Sequence, residues 1–191
     1  METSYRADLI GEREEVLDGY RRIASVLAQR VDLILCETLA SAHEAAWACE
    51  VASETGCEYW VSWTLQGTRL NTLPSGESLA EAVAGLGDLK PSAFLVNCCG
   101  ANFVTAAIPE LARLTSGPVG GYANADYVEP GETRTGVDTD SETAQERVAK
   151  RLDPEAYASE ARRWLEAGAE VVGGCCGTRP AHIRRLREML G

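Results

Sequence analysis

Basic residues are scarce in this sequence. Its 191 residues include 18 lysines and arginines against 29 aspartates and glutamates, which gives a net charge of −11. Nucleic-acid binding needs clustered positive charge to neutralise phosphates, so nucleic acid is excluded as the main partner. Long hydrophobic runs are also missing, because no stretch approaches the ~18 apolar residues of a membrane span. The N-terminus lacks the apolar centre of a secretory signal. The sequence therefore predicts a protein that has no membrane partner.

A disulfide framework is not expected either. The chain has seven cysteines, which is an odd number. A sequence without a secretion signal belongs in a reducing compartment, where cysteines bind metals more often than they form disulfides. The predicted location is therefore the cytoplasm. Neither a linker nor a low-complexity tract interrupts the sequence, which predicts one domain over residues 1–191.

Short apolar runs alternate with helical patterns along the chain. Five of the runs are nearly continuous in apolar residues, as expected for parallel strands that are covered on both faces. These predicted strands span residues 31–36, 59–65, 93–97, 118–123 and 169–173. The segments between them carry helix-capping patterns, which are centred on Ser41, Ser78, Asp153 and Thr178.

The repeated βα units predict an α/β protein, either a doubly wound parallel sheet or a (β/α)-barrel. No Gly-x-Gly-x-x-Gly motif follows a strand, which disfavours a dinucleotide-binding sheet. A complete eight-stranded barrel needs about 250 residues. This chain offers five strands and begins with a helix near residues 12–30, so strands are expected to be missing at the front. The acidic segment 126–146 is interpreted as a long loop, either solvated or a lid over the site.

Polar side chains lie at the carboxyl end of every predicted strand. In strand order they are Glu37, Thr64, Asn97 with Cys98, Asn124, and Cys175 with Cys176. Ligands of parallel α/β proteins bind at this carboxyl edge, so the pattern predicts a functional site there. A carboxylate such as Glu37 is suited to hold a substrate ammonium group, although a plain surface acid would look the same.

Two cysteine-bearing strand ends point to a metal. If their strands are neighbours in the sheet, Cys98, Cys175 and Cys176 converge on one ion. Three thiolates hold zinc and leave its fourth position free, which is typical of a catalytic site. Such an ion is a weak activator of water but stabilises an incoming thiolate near neutral pH. Redox disulfides are the chemical alternative; two such pairs at two strand ends favour a metal. Cys99 is left over.

These motifs together resemble the homocysteine S-methyltransferase family. The matching segments are Asp32-Leu-Ile-Leu-Cys-Glu-Thr38, Trp60-Val-Ser-Trp-Thr64, Val96-Asn-Cys98, Tyr122-Ala-Asn124 and Gly173-Gly-Cys-Cys-Gly-Thr178. The resemblance implies a TIM-type (β/α)8 barrel, of which this chain carries about five C-terminal βα units with the first three strands absent.

The resemblance also implies a set of roles. Cys98, Cys175 and Cys176 would bind zinc, Glu37 would hold the amino group of homocysteine, and Asn97 would help to shape the pocket. A methyl group would pass from a small onium-type donor to the homocysteine thiol, giving methionine. The alternative is a catalytically incomplete zinc-binding barrel fragment that acts only in binding or assembly. In either case the partner covering the open sheet would be a second copy or a complementing N-terminal segment.

Overall fold

The computed structural model describes residues 5–66, 69–128 and 151–191. The strands are β1 Leu33–Leu39, β2 Glu58–Trp63, β3 Phe94–Asn97, β4 Val119–Tyr122 and β5 Val171–Val172. The α-helices are α1 Arg13–Leu27, α2 Ala42–Glu54, α3 Leu79–Ala84, α4 Ala101–Leu114, α5 Pro154–Glu166 and α6 Pro180–Leu190, and a 3-10 turn at Ala7–Leu9 precedes α1.

The strands form one parallel sheet in the order β1-β2-β3-β4-β5. Because crossovers between parallel strands are right-handed, a sheet that advances in one direction carries its helices on one face, whereas a doubly wound sheet reverses direction. The observed order is therefore that of a barrel wall, as the sequence predicts. Within the described residues the sheet stays open, with β1 and β5 as its edges.

The sheet curls. In a flat sheet β1 and β4 would lie about 14 Å apart, and side chains stand roughly perpendicular to the strands. The phenol of Tyr122 at the end of β4 nevertheless donates a hydrogen bond to the carboxylate of Glu37 on β1, at 3.0 Å. Only curvature toward a barrel brings these two side chains together.

The main core lies between the sheet and its helices. Trp63, Tyr157 and Trp164 are its largest fully buried side chains. Trp164 of α5 donates its indole N–H to Thr105 Oγ1 of α4 at 2.9 Å, which satisfies the polar atom of a buried aromatic residue. Tyr157 donates to the carbonyls of Ala123 and Gly173, at 2.9 and 2.8 Å. The core is thereby tied to the carboxyl ends of β4 and β5.

Strand β4 makes unusually close contacts because it contains Gly120 and Gly121. A Cβ atom on Gly120 would lie 2.2 Å from the carbonyl oxygen of Val171 in β5. A Cβ atom on Gly121 would lie 2.3 Å from Val104 of α4. Any side chain at these positions would push β5 and α4 away from β4.

All five predicted strands are present, with shifted ends. Strand β1 runs on to Leu39, which pairs with Trp63 after an irregularity in the register, so the polar Glu37 and Thr38 lie inside it. Strand β5 is reduced to Val171–Val172, because it pairs only with β4 and then enters the glycine pair that precedes Cys175.

The capping predictions are confirmed at three helices and wrong at one. Ser41, Ser78 and Asp153 each accept the expected backbone N–H. Helix α6 instead begins after Arg179, whose N–H donates to the ring of His182 at 3.1 Å. Most of the acidic segment, residues 129–146, lies outside the described residues. No helix among the described residues is long and apolar enough to cross a membrane.

Candidate metal centre

The three cysteines at the ends of β3 and β5 come together in space. The sequence analysis supposes that these two strands are neighbours, but β4 lies between them. The Sγ atoms of Cys98, Cys175 and Cys176 all lie within 4.8 Å of one another, and those of Cys98 and Cys176 are 3.6 Å apart. Cys98 is buried, Cys175 is half-buried and Cys176 is exposed, so the cluster faces outward at the carboxyl edge of the sheet. Within the described ranges no other three Cys, His or acidic groups are placed to share a metal ion.

This donor set fits zinc. Thiolates bound at about 2.3 Å in a tetrahedral site lie about 3.8 Å from one another. The observed Cys98–Cys176 separation of 3.6 Å is close to that value, and the other pairs need only small side-chain rotations. Three soft sulfur ligands favour zinc over magnesium or calcium, which prefer oxygen.

Neighbouring strand ends fix the backbone that carries the thiols. Cys98 adopts a left-handed conformation with φ of 55°, which is uncommon for a residue with a side chain. The N–H of Cys98 donates to the Tyr122 carbonyl at 3.3 Å, and Thr64 Oγ1 donates to the Cys98 carbonyl at 3.4 Å. Asn124 Oδ1 accepts the N–H of Cys176 at 3.1 Å. The predicted strand-end residues Thr64 and Asn124 thus hold the backbone of two of the cysteines.

The glycines flanking Cys175 and Cys176 allow a tight turn. A Cβ atom on Gly174 would lie 2.7 Å from Thr178, whose hydroxyl donates to the Cys175 carbonyl at 2.7 Å. Gly177 has φ of +77°, a conformation that costs glycine little. Thr178, predicted as a helix cap, therefore closes the turn that presents the two thiols.

The thiols perturb each other's ionisation. The hydrogen bond from the Cys98 thiol lowers the pKa of Cys175 below its ordinary value, and the same pairing, with burial, raises the pKa of Cys98. Burial and the nearby Cys98 raise the pKa of Cys176. One of the three thiols therefore ionises readily. All three can be ionised together only with a cation among them, because their negative charges repel one another. A divalent ion that replaces the thiol protons supplies that charge.

Tyr5 joins the cluster, and the sequence analysis missed it. Its phenol donates a hydrogen bond to Cys98 Sγ, and burial is the main cause that raises its pKa. Tyr5 has φ of 72°, so the backbone turns sharply just before the 3-10 turn. No strand or spacing signal surrounds this tyrosine in the sequence, which is why pattern reasoning could not find it.

Glu37 is exposed at the same edge. Its Oε2 atom accepts the Tyr122 phenol at 3.0 Å, which fixes the carboxylate on the inner side of the curled sheet. Cys99 turns the other way and is buried in the core. His43 packs on Trp47 and His182 caps α6, so neither histidine belongs to the thiol cluster.

Asn97 is completely buried, and its amide joins three strands. Its Oδ1 atom accepts the Thr38 N–H at 3.0 Å and the Ser62 hydroxyl at 2.7 Å, and its Nδ2 atom donates to Thr38 Oγ1 at 2.8 Å. Thr38 has φ of 61°. In this structure Asn97 therefore holds the strained backbone that follows Glu37 and precedes α2.

We expect Asn97→Ala to lower the free energy of unfolding by about 3 kcal/mol, because a buried hydroxyl and the Thr38 N–H both lose their acceptor. Urea denaturation followed by circular dichroism measures this loss. The matched control is Ser62→Ala, which removes one hydrogen bond and should cost about 1 kcal/mol. Equal losses in the two variants would contradict a special role of the amide at Thr38.

The chain is similar to known proteins that share one description. The family profile described as homocysteine S-methyltransferase matches residues 2–190. Homocysteine S-methyltransferase 4 of Zea mays is 31% identical over 91% of this chain and 49% of its own length. The homocysteine S-methyltransferase of Escherichia coli strain K12 is 32% identical over 97% of this chain and 56% of its own length.

A solved structure is also similar. The crystal structure of the homocysteine methyltransferase MmuM from Escherichia coli, in its metallated form, superposes with a TM-score of 0.74 at 27% identity. The match covers 98% of this chain and 55% of that one. The chain thus spans about half the length of the relatives it matches.

Proposed function

Because the chain belongs to the homocysteine S-methyltransferase family, we propose that it contributes the acceptor half of a zinc-dependent methyltransferase. In this proposal Cys98, Cys175 and Cys176 bind zinc, and homocysteine is the methyl acceptor. The single observation that carries the proposal is the approach of three thiols to within 4.8 Å at one edge of the sheet. A cytoplasmic location remains a prediction from the composition.

The chemistry follows from the donor set. Zinc, when bound, would supply a Lewis acid that keeps the acceptor thiol ionised near neutral pH. The homocysteine sulfur would then attack the methyl carbon of an onium donor. The bond from that carbon to the donor heteroatom breaks, its electron pair stays on the donor, and the thiol proton is released. The products are methionine and a neutral donor remnant.

The chain's own residues would orient the acceptor. Glu37, held by Tyr122, would accept a hydrogen bond from the homocysteine ammonium group. Asn97 would keep the Thr38 turn in place, and so fix Glu37 relative to the cysteines. Holding the nucleophile in line with the donor is worth several kcal/mol in reactions of this type.

The activity is tested with the purified protein, zinc, homocysteine and S-methylmethionine as the probe donor, with methionine measured by mass spectrometry. A parallel reaction contains the separately purified first half of the Escherichia coli relative, because the chain spans 56% of that protein. We expect methionine in at least the second reaction, loss of it after chelation, and recovery with added zinc. Metal-independent methionine formation, or none in either reaction, would contradict the proposal.

A further inference from the structure

Tyr122 lies at the end of β4, on the inner side of the curled sheet. It pairs in register with Asn97 of β3. Its Cβ atom lies 3.2 Å from the position that a Cβ on Gly173 would occupy, so a side chain at Gly173 would crowd Tyr122 from the β5 side. The phenol extends in the other direction, across β3 and β2, and reaches Glu37 of β1.

The phenol contacts the acid directly. Its hydroxyl donates to Glu37 Oε2 at 3.0 Å. Tyr122 is half-buried, and its phenol proton is directed to the carboxylate.

This bond fixes the orientation of the Glu37 carboxylate. Tyr122 takes one acceptor site on Oε2, which leaves Oε1 and the second lone pair of Oε2 to accept from a ligand. A solvent-exposed glutamate has several rotamers, and fixing one of them removes the entropy cost of ordering it when a ligand binds. The phenol thus prepares Glu37 to receive a cationic group beside the sulfur cluster.

We propose that Tyr122 sets the specificity for the acceptor: by holding Glu37 in place, it selects thiols that carry an amino group over thiols that do not. Tyr122 acts here as a positioning residue, through Glu37 and not by contact with the reacting sulfur. The inference rests on the proposed function, because it takes the acceptor to be an amino-acid thiol bound at the metal centre.

The test uses ligand binding to the cobalt-substituted protein, whose thiolate-to-cobalt absorption increases when a further thiolate binds. Homocysteine is compared with 4-mercaptobutanoate, which is homocysteine without its amino group. We expect Tyr122→Phe to reduce the preference for homocysteine on the order of tenfold, the range for a lost hydrogen bond to a charged group. Binding of 4-mercaptobutanoate and the starting cobalt spectrum should not change.

Two further variants sharpen the test. Tyr20→Phe removes a comparable phenol–carboxylate bond, from Tyr20 to Glu44 at 3.3 Å, and should leave the preference as in the wild type. In a Glu37→Ala background, where residue 37 has no side-chain oxygen for the phenol to hold, Tyr122→Phe should have no additional effect on the preference, since a residue that acts only through another is silent without it.

Three outcomes would overturn the proposed role of Tyr122. An unchanged preference in Tyr122→Phe with an intact cobalt spectrum overturns the inference. Equal weakening of both thiols also overturns it, because Tyr122 would then support the metal centre as a whole. If the wild type gains no thiolate absorption with homocysteine, the proposed function falls and the inference falls with it.

Discussion

Replacing Cys98 by alanine should weaken zinc binding by a factor of about 10²–10³ and abolish the proposed methyl transfer. Structural zinc sites with four protein ligands bind with about 10–16 kcal/mol, so one thiolate accounts for roughly 2.5–4 kcal/mol, or about 10²–10³ in Kd. Cys98 is the thiol that β3 contributes to the proposed site, and without it only the two adjacent thiols after β5 are left to hold an ion. Competition with a chromophoric chelator measures the affinity.

Cys99→Ala is the matched control for this prediction. Cys99 is adjacent in sequence and buried, yet its side chain packs in the core between sheet and helices. Its loss should lower stability modestly, in the range of a small core truncation, and leave one zinc per chain. If Cys99→Ala lost zinc while Cys98→Ala retained it, the assignment of the ligands would be wrong.

Glu37→Gln should weaken homocysteine binding by roughly 10- to 100-fold without releasing zinc. The substitution keeps the shape of the side chain but removes the charge that would pair with the substrate ammonium group, and hydrogen bonds to charged groups are worth about 1.5–3 kcal/mol. Isothermal titration of the zinc-loaded protein with homocysteine gives the affinity, and metal analysis of the same sample gives the zinc content.

The control for Glu37→Gln is Glu58→Gln. Glu58 begins β2 at the opposite end of the sheet, where its carboxylate accepts the indole N–H of Trp60 at 2.8 Å. The two variants change the net charge equally, so a general electrostatic effect on an acidic protein would weaken binding in both. Weakening in Glu37→Gln alone supports local recognition of the ammonium group.

The sequence predicts those parts of this centre that depend on topology. Parallel strands joined by helices end at one edge, so any polar residue directly after a strand belongs to that edge. This rule brings Cys98 to the adjacent pair Cys175 and Cys176, although Cys98 and Cys176 are 78 residues apart along the chain. It also places Glu37 and Asn97 nearby without any knowledge of side-chain packing.

The partners of those residues could not be predicted in the same way. The bond between Tyr122 and Glu37 exists because the sheet curls, and curvature is a property of the assembled strands. Tyr5 contacts Cys98 because the backbone turns at Tyr5, where φ is positive. A single tyrosine in a sequence gives no sign of such a backbone conformation. In the sequence Thr178 resembles a helix cap. Only the structure shows that its hydroxyl donates to the Cys175 carbonyl and closes the turn.

The positions of the three thiols in the candidate metal centre also depend on the glycine pair in β4. Strand β4 contributes no thiol, but it separates the strand that carries Cys98 from the strand that carries the other two. Gly120 and Gly121 allow β5 and α4 to pack directly against β4. A side chain at Gly120 would push β5, and with it Cys175 and Cys176, away from the strands that lead to Cys98. A residue without a side chain therefore helps to bring the three thiols of the candidate site together.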